Sequence, residues 1–237
     1  MAELTCLVPV RNGERYLGLY LEEAERWFDS VIALDDGSTD TTRSLLESSP
    51  TVRHLIKHPV RPSFFGWNDL VNRSALLQSL GDRNYSGWVL FLDVDELLDS
   101  EDAALLQRLA HCDELDRRHA YGLRVFRMVE DLQHFYKGAL TVYRLFYYQP
   151  GYTLAGDSLH FVPVPTAYPP DTWRPTNLRI RHRCSMTEDL RRERYAKYLE
   201  VDRERRYQSS YESVLDPPLR VREWTETAFE DLFSVEE

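Results

Sequence analysis

Three cysteines in 237 residues, none in a Cys-x-x-Cys spacing, supply neither a structural zinc frame nor a disulfide scaffold. Cys6, Cys112 and Cys184 therefore read as reduced thiols, as in a cytoplasmic protein. The chain lacks a basic-then-apolar leader, and no apolar run approaches the roughly 20 residues that a membrane span requires. A soluble, cytoplasmic protein with no transmembrane segment is expected, with room to work beside a membrane. Positive charge is also missing. A formal net charge of -10 argues against general nucleic-acid binding, because phosphate backbones recruit cationic surfaces. A single nucleotide ligand stays open, since one diphosphate needs only a metal and a few donors. No internal repeat or low-complexity linker demands a separate second domain.

What is present is alternation. Thr5–Val10 is a compact apolar run that ends in the polar turn Arg11-Asn12-Gly13. Leu17, Leu21, Ala24 and Phe28 then recur at helical spacing. Ser30–Asp35 is a second buried run, which stops at Asp35-Asp36-Gly37-Ser38-Thr39-Asp40, with Asp40 or Thr41 placed to cap the next helix. A weaker strand at His54–Lys57 and a helix over Asn68–Leu80 lead to Trp88–Leu92, five apolar residues in a row. Strand–helix units of this kind predict an α/β fold, a mostly parallel sheet with helices on both faces. Ligands in such sheets bind beyond the carboxyl ends of the strands, where each of these polar clusters falls. Beyond Ala120 the texture shifts to the aromatic strands Tyr121–Met128 and Leu140–Tyr148, then to a long charged helix from Arg183 to Tyr211.

Asp93-Val94-Asp95-Glu96 follows the fourth apolar run directly. Strand alternation would put Asp93 and Asp95 on one face with Val94 buried opposite. Two adjacent carboxylates repel unless a cation lies between them. Hard divalent ions favour such oxygen ligands and leave positions open for substrate phosphates. A solvated acidic loop is the plain alternative, and a short Asp-x-Asp alone is weak evidence.

Its company strengthens it. Val8-Pro9-Val10-Arg11-Asn12-Gly13, Leu34-Asp35-Asp36-Gly37-Ser38-Thr39-Asp40 and Phe91-Leu92-Asp93-Val94-Asp95-Glu96 together resemble the family 2 glycosyltransferases of the GT-A fold, in order and in strand-end context. The later Leu159-His160 and Arg181-His182 segments are similar to a branch of small proteins in that family. The resemblance implies a GT-A-like, Rossmann-related domain over residues 1–185 and a C-terminal helical extension over 186–237 packed on it. It implies a metal-dependent, inverting transfer of sugar from a nucleotide-diphosphate donor, with Mn²⁺ or Mg²⁺ as the ion and a UDP-sugar as the commonest donor. The acceptor is left open among glycans, lipids and small molecules.

Residue by residue, the resemblance places Pro9, Arg11 and Asn12 at the nucleoside and Asp36 or Asp35 at the base. Arg73 falls at base or phosphate, Asp93 at ribose and metal, and Val94 with the donor contacts between the two acids. Asp95 is the chief metal ligand, with His182 completing the metal site or meeting the diphosphate. Neutral imidazole binds Mn²⁺ beside carboxylates. Glu130-Asp131 supplies the general base, and His160 stands near the acceptor as a contact or base. Arg181 and Arg183 are further diphosphate candidates. The rest of the charged helix reads as a salt-bridged surface through Glu188/Arg192, Glu193/Lys197 and Asp202/Arg206. Phe64, Phe65 and Trp67 form an aromatic cluster suited to a donor lid or to core packing. Two other functions compete: a non-catalytic nucleotide-sugar binder, and a phosphatase that uses an Asp-x-Asp nucleophile.

Overall fold

The computed structural model describes residues 2–136, 138–159, 161–218, 220–229 and 231–233. Strand β1 (Leu4–Val10) is buried at every position, as a strand covered on both faces must be. It pairs in parallel with β2 (Ser30–Asp35) and with β4 (Gly87–Phe91), and β3 (Val52–Lys57) adds beyond β2. Helices α1 (Glu14–Trp27), α2 (Thr42–Ser48) and α3 (Asp69–Gly81) connect these strands. Successive side chains on β1 face opposite cores. Cys6 and Val8 pack with Leu17, Tyr20 and Ala24 of α1 and Leu46 of α2, whereas Leu7 packs with Leu76, Leu77 and Leu80 of α3.

The chain continues through β5 (Glu96–Leu98), α4 (Ser100–His111), β6 (Ala120–Arg127), β7 (His134–Tyr136), β8 (Leu140–Tyr148), β9 (Trp173–His182), α5 (Glu188–Val201) and β10 (Val221–Glu223). The main sheet runs β3-β2-β1-β4-β8-β6-β9-β5, and β10 pairs with β7 apart from it. The expected parallel character holds across β3-β2-β1-β4 and for β6 beside β9, while β8 and β5 run antiparallel to their neighbours.

The register of β1 explains where the sheet opens. Its pairing with β4 ends at Leu7 opposite Phe91, although the Leu7 carbonyl still accepts from the Leu92 amide at 3.1 Å. Pro9 lies two residues on and turns toward the same side, where β4 has already left. Its missing N–H therefore breaks no ladder bond. A crevice forms between the carboxyl ends of β1 and β4, at the point where the strand order reverses.

Two expectations about local structure change. Asp93 and Asp95 do not lie on a strand. The Glu96 amide donates to the Asp93 carbonyl at 2.9 Å, so both acids occupy a tight turn between β4 and β5. The charged helix is shorter than its charge pattern suggests: α5 spans Glu188–Val201 where a helix from Arg183 to Tyr211 is expected, while Arg181 and His182 lie on β9, before it. Asp202 ends it by accepting from the Arg206 and Tyr207 amides and from the Tyr211 hydroxyl. The inner face of α3 carries polar side chains, because Asn72 and Arg73 are buried along with Leu76, Leu77 and Leu80. Helix α5 buries no residue fully. It is fastened by Lys197 over the Phe64 and Trp67 rings, by Arg203 over Phe65, and by Glu200, which accepts from the Phe64 amide at 2.7 Å.

Candidate active site

The ends of β1 and β2 form a braced loop pair. The Arg11 guanidinium is buried and donates to the carbonyls of Asp36 at 2.7 Å, Gly37 at 3.1 Å and Arg61 at 2.5 Å. Asn12 adopts a left-handed backbone, φ 49°, which lets its Oδ1 accept from the Thr39 amide at 2.8 Å. Gly37 has φ 72°, and a Cβ there would stand 2.2 Å from the Pro59 carbonyl oxygen, so only glycine fits. The Asp35 carboxylate is sealed, accepting from the Ser38 amide at 3.0 Å and pairing with Arg43 at 2.6 Å. Asp36 bonds the His58 ring at 2.8 Å and pairs with Arg61. Pro9, Arg11, Asn12, Asp35 and Asp36 are thus brought together; Thr39, Ser38, Arg43, His58 and Arg61 satisfy Asn12 and the two acids, while the buried Nε of Arg11 has no partner.

The Asp93–Glu96 turn is built differently. Glu96 is buried and accepts from the Asp93 amide at 2.9 Å while pairing with Arg144 of β8. Burial raises its carboxyl above the ordinary range despite that arginine. Arg183 locks the turn from the other side. Its amide donates to the Asp95 carbonyl at 2.8 Å and its guanidinium to the Val94 carbonyl at 2.9 Å. Arg183 is therefore a strut for the turn, and Arg181 pairs with Asp99 at 2.8 Å over the Trp224 ring. Val94 packs beneath Gly13, where an added Cβ would lie 2.7 Å from Val10 and 3.2 Å from Val94. That close approach carries α1 onto the turn.

Arg73 reaches the turn from α3. It grips Asp69 at 3.0 Å and Asp93 at 2.6 Å, but its buried Nη1 has no hydrogen-bond partner. A buried guanidinium nitrogen left unpaired is costly, and it leaves Arg73 with a donor to spare. Burial pushes the Asp93 carboxyl up, and Arg73 with Arg144 more than reverses that, holding it ionised below the usual range.

Asp95 meets His182 because β9 pairs with β5 in a register that sets His182 opposite Glu96. The Asp95 carboxylate lies 3.3 Å from His182 Nε2. Cys184 joins them, so that one oxygen, one nitrogen and one sulfur lie within 4.8 Å of one another. Burial opposes every charge here, yet His182, Lys197 and Arg194 hold Asp95 well below the carboxylate range. Burial likewise lowers His182, and Cys184 and Asp95 outweigh it. Arg194 donates to Cys184 Sγ at 2.5 Å and to the Tyr198 hydroxyl at 3.1 Å.

The structure therefore unites Asp95 with His182 as expected. Asp93 remains beside them on Arg73 and outside the three-atom cluster. A set of one carboxylate, one imidazole and one thiol suits Mn²⁺ better than Mg²⁺, which seldom leaves oxygen ligands. Glu130 and Asp131 follow β6. Asp131 is exposed and spends its carboxylate on the Gln133 and His134 amides and the His134 ring, at 2.7, 2.9 and 2.9 Å. Glu130 has a left-handed backbone, φ 62°, and its amide donates to the Met186 carbonyl at 3.0 Å, which sets it near Cys184. His160 lies outside the described residues.

Cys184, Arg194, Lys197 and Arg144 were not singled out from the sequence. A lone arginine inside the apolar run Tyr143–Phe146 was the available signal for Arg144, and the His-x-Cys spacing was the signal for Cys184. Lys197 was assigned to Glu193. That glutamate pairs with Arg15 of α1 at 2.9 Å, which leaves the lysine over the aromatic loop. The Glu188/Arg192 pair forms as expected, at 2.5 Å.

The model of glycosyl transferase family 2 matches residues 5–169. The chain belongs to that family. Among solved structures of similar fold, Staphylococcus aureus TarS is 17% identical over 84% of this chain and 40% of its own, with a TM-score of 0.47. Glucosyl-3-phosphoglycerate synthase from Mycobacterium tuberculosis, solved with Mn²⁺, UDP and glucosyl-3-phosphoglycerate, is 20% identical over 53% of this chain and 44% of its own, with a TM-score of 0.35. This family 2 chain thus spans 40% of the length of that TarS chain. No curated protein matches it in sequence. No helix among the described residues is long and apolar enough to cross a membrane. Family membership removes the phosphatase alternative.

Proposed function

We propose that this chain is a metal-dependent, inverting glycosyltransferase that takes its sugar from a nucleotide-diphosphate donor. One observation carries the reading. Asp95 and His182 stand 3.3 Å apart at the sheet crevice, beside a buried Arg73 nitrogen that lacks a partner. Asp95 and His182 would hold a divalent cation such as Mn²⁺, which accepts a carboxylate and an imidazole, with Cys184 within reach as a third ligand. These residues would thereby supply, through the ion they hold, positive charge for a diphosphate leaving group.

The protein's own groups do the rest. Arg73 Nη1 meets the nucleotide from α3, and Arg194 and Lys197 bring positive charge from α5 to the side of the turn where phosphates accumulate charge. In the transfer, the acceptor hydroxyl oxygen bonds to the anomeric carbon as the bond from that carbon to the diphosphate oxygen breaks. The hydroxyl proton passes to a base. We assign that role to Glu130 over Asp131, because Asp131 already serves its own turn. Glu130→Gln is expected to lower kcat by roughly 100-fold or more, with Asp131→Asn near wild type. The reverse ranking removes the assignment.

The reading is tested by following nucleoside diphosphate release from UDP-sugars with Mn²⁺, with chelator, and in Asp95→Ala. Release that needs Mn²⁺ and vanishes in the variant supports it. Release that ignores both refutes it. UDP binding with no turnover for any acceptor would instead favour the non-catalytic binder.

A further inference from the structure

A second cavity adjoins the metal-ligand cluster on the far side of Cys184. Its volume is about 390 Å³, in the range of small-ligand sites. Its wall is formed by the end of β6, Tyr136 of β7, the Ser185 turn, one face of α5 and the segment 208–218. Arg127, Arg191 and Arg194 all line it, against Asp216 as the one acidic residue of the wall.

These arginines are not neutralised. No carboxylate lies within 4.0 Å of any of the three among the described residues, although the chain as a whole carries a net charge of -10. Arg191 donates to the Ser185 carbonyl at 3.2 Å, and its buried Nε has no partner. Arg194 turns toward Cys184 and Ser185. Other arginines of this protein find acids readily, as Arg15, Arg43, Arg117 and Arg222 do. A concave wall with two guanidinium groups, Arg127 and Arg191, that meet no acid, beside Arg194 turned to Cys184, suits an anion in an otherwise acidic protein, because guanidinium matches phosphate and carboxylate oxygens in a bidentate fork.

Resting on the transferase reading above, we infer that this cavity is the acceptor site, and that the acceptor carries a phosphate or carboxylate beside the hydroxyl that receives the sugar. Two features set the orientation. Ser185 and Arg194 border both the cavity and the metal-ligand cluster, so a hydroxyl near them lies at the transfer point. Val129 lines the wall, and Glu130, the assigned base, follows it in the chain. The oxyanion then lies toward Arg127 and Arg191. A neutral glycan or an uncharged polyol would leave those charges unmet.

The test is titration calorimetry on the full chain with glycerol 3-phosphate, glycerate, a glycerophosphodiester dimer and plain glycerol, each with saturating UDP and Mn²⁺ and again without them. UDP and Mn²⁺ occupy the donor phosphate sites, so binding that persists reports the cavity. Saturable binding of at least one of the three anions, absent for glycerol, is expected. It should weaken about tenfold or more in Arg127→Gln/Arg191→Gln and recover in part in Arg127→Lys/Arg191→Lys. Preference for the monoester or carboxylate marks a free small acceptor, and preference for the diester marks one unit of a phosphate-linked polymer. Equal binding of glycerol, no anion binding, or affinity unchanged by the glutamines overturns the inference. Failure of UDP to bind wild type would sink the donor reading alone, since the titrations without UDP still report on the cavity. Retained UDP binding by the variants shows that they fold.

Discussion

Two pairs of acids stand at the ends of β2 and β4, the parallel strands on either side of β1, and they do opposite work. Asp35 and Asp36 at β2 are met by Arg43, His58 and Arg61, so the loop neutralises its own charge and becomes a rigid wall. Asp93 and Asp95 beyond β4 share Arg73 and His182, with a thiol and an unpaired guanidinium nitrogen close by. Both pairs read alike along the chain. What separates them is the company: Asp35 and Asp36 meet only cations and ring or backbone donors, whereas Asp95 stands beside an imidazole and a thiol that can join it on a metal.

Substitutions should pull the two pairs apart. The largest effect on function is expected for Asp95→Ala, with Mn²⁺-dependent UDP affinity falling roughly 100-fold or more, since loss of a direct ligand exceeds the usual cost of losing a supporting one. Calorimetry reads that affinity, and a melting temperature close to wild type would show that the turn is not structural. Asp35→Ala should do the reverse. Removing one partner of a buried pair costs about 3 kcal/mol, or roughly 6–12 °C in Tm for a chain of this size. A thermal melt that does not move would mean the wall is not held by that carboxylate. Cys184→Ser is the smallest change. It should weaken Mn²⁺ by about tenfold at most, and should remove the thiolate-to-metal absorption seen when Co²⁺ is loaded. If that absorption is absent in wild type, Asp95 and His182 hold the metal without the sulfur.

The sequence made the inner strands plain, because β1, β2 and β4 are apolar runs bounded by polar turns. It also made the Asp-x-Asp legible as a site. Its geometry was not, since strand alternation and a tight turn both bring two acids together, and only the Asp93–Glu96 hydrogen bond distinguishes them. His182 entered the site through the register of β9 on β5, a pairing between residues distant in sequence. The length of α5 was overestimated because charges at four-residue spacing continue past Val201, where Asp202 has turned to cap the end. Lys197 was misassigned for a related reason. Spacing along a helix identifies a possible partner, while Arg15 on another helix takes the actual one.

Helix α5 has a consequence for motion. A helix that buries no residue fully, held by ring faces and by the polar contacts of Arg191, Glu193, Arg194 and Glu200, belongs to the less protected part of a protein. Its amides should therefore exchange with deuterated solvent well ahead of those in β1. Arg194 and Lys197, the cations proposed above to meet the diphosphate, thus ride on a less protected element than the strands that carry the acids.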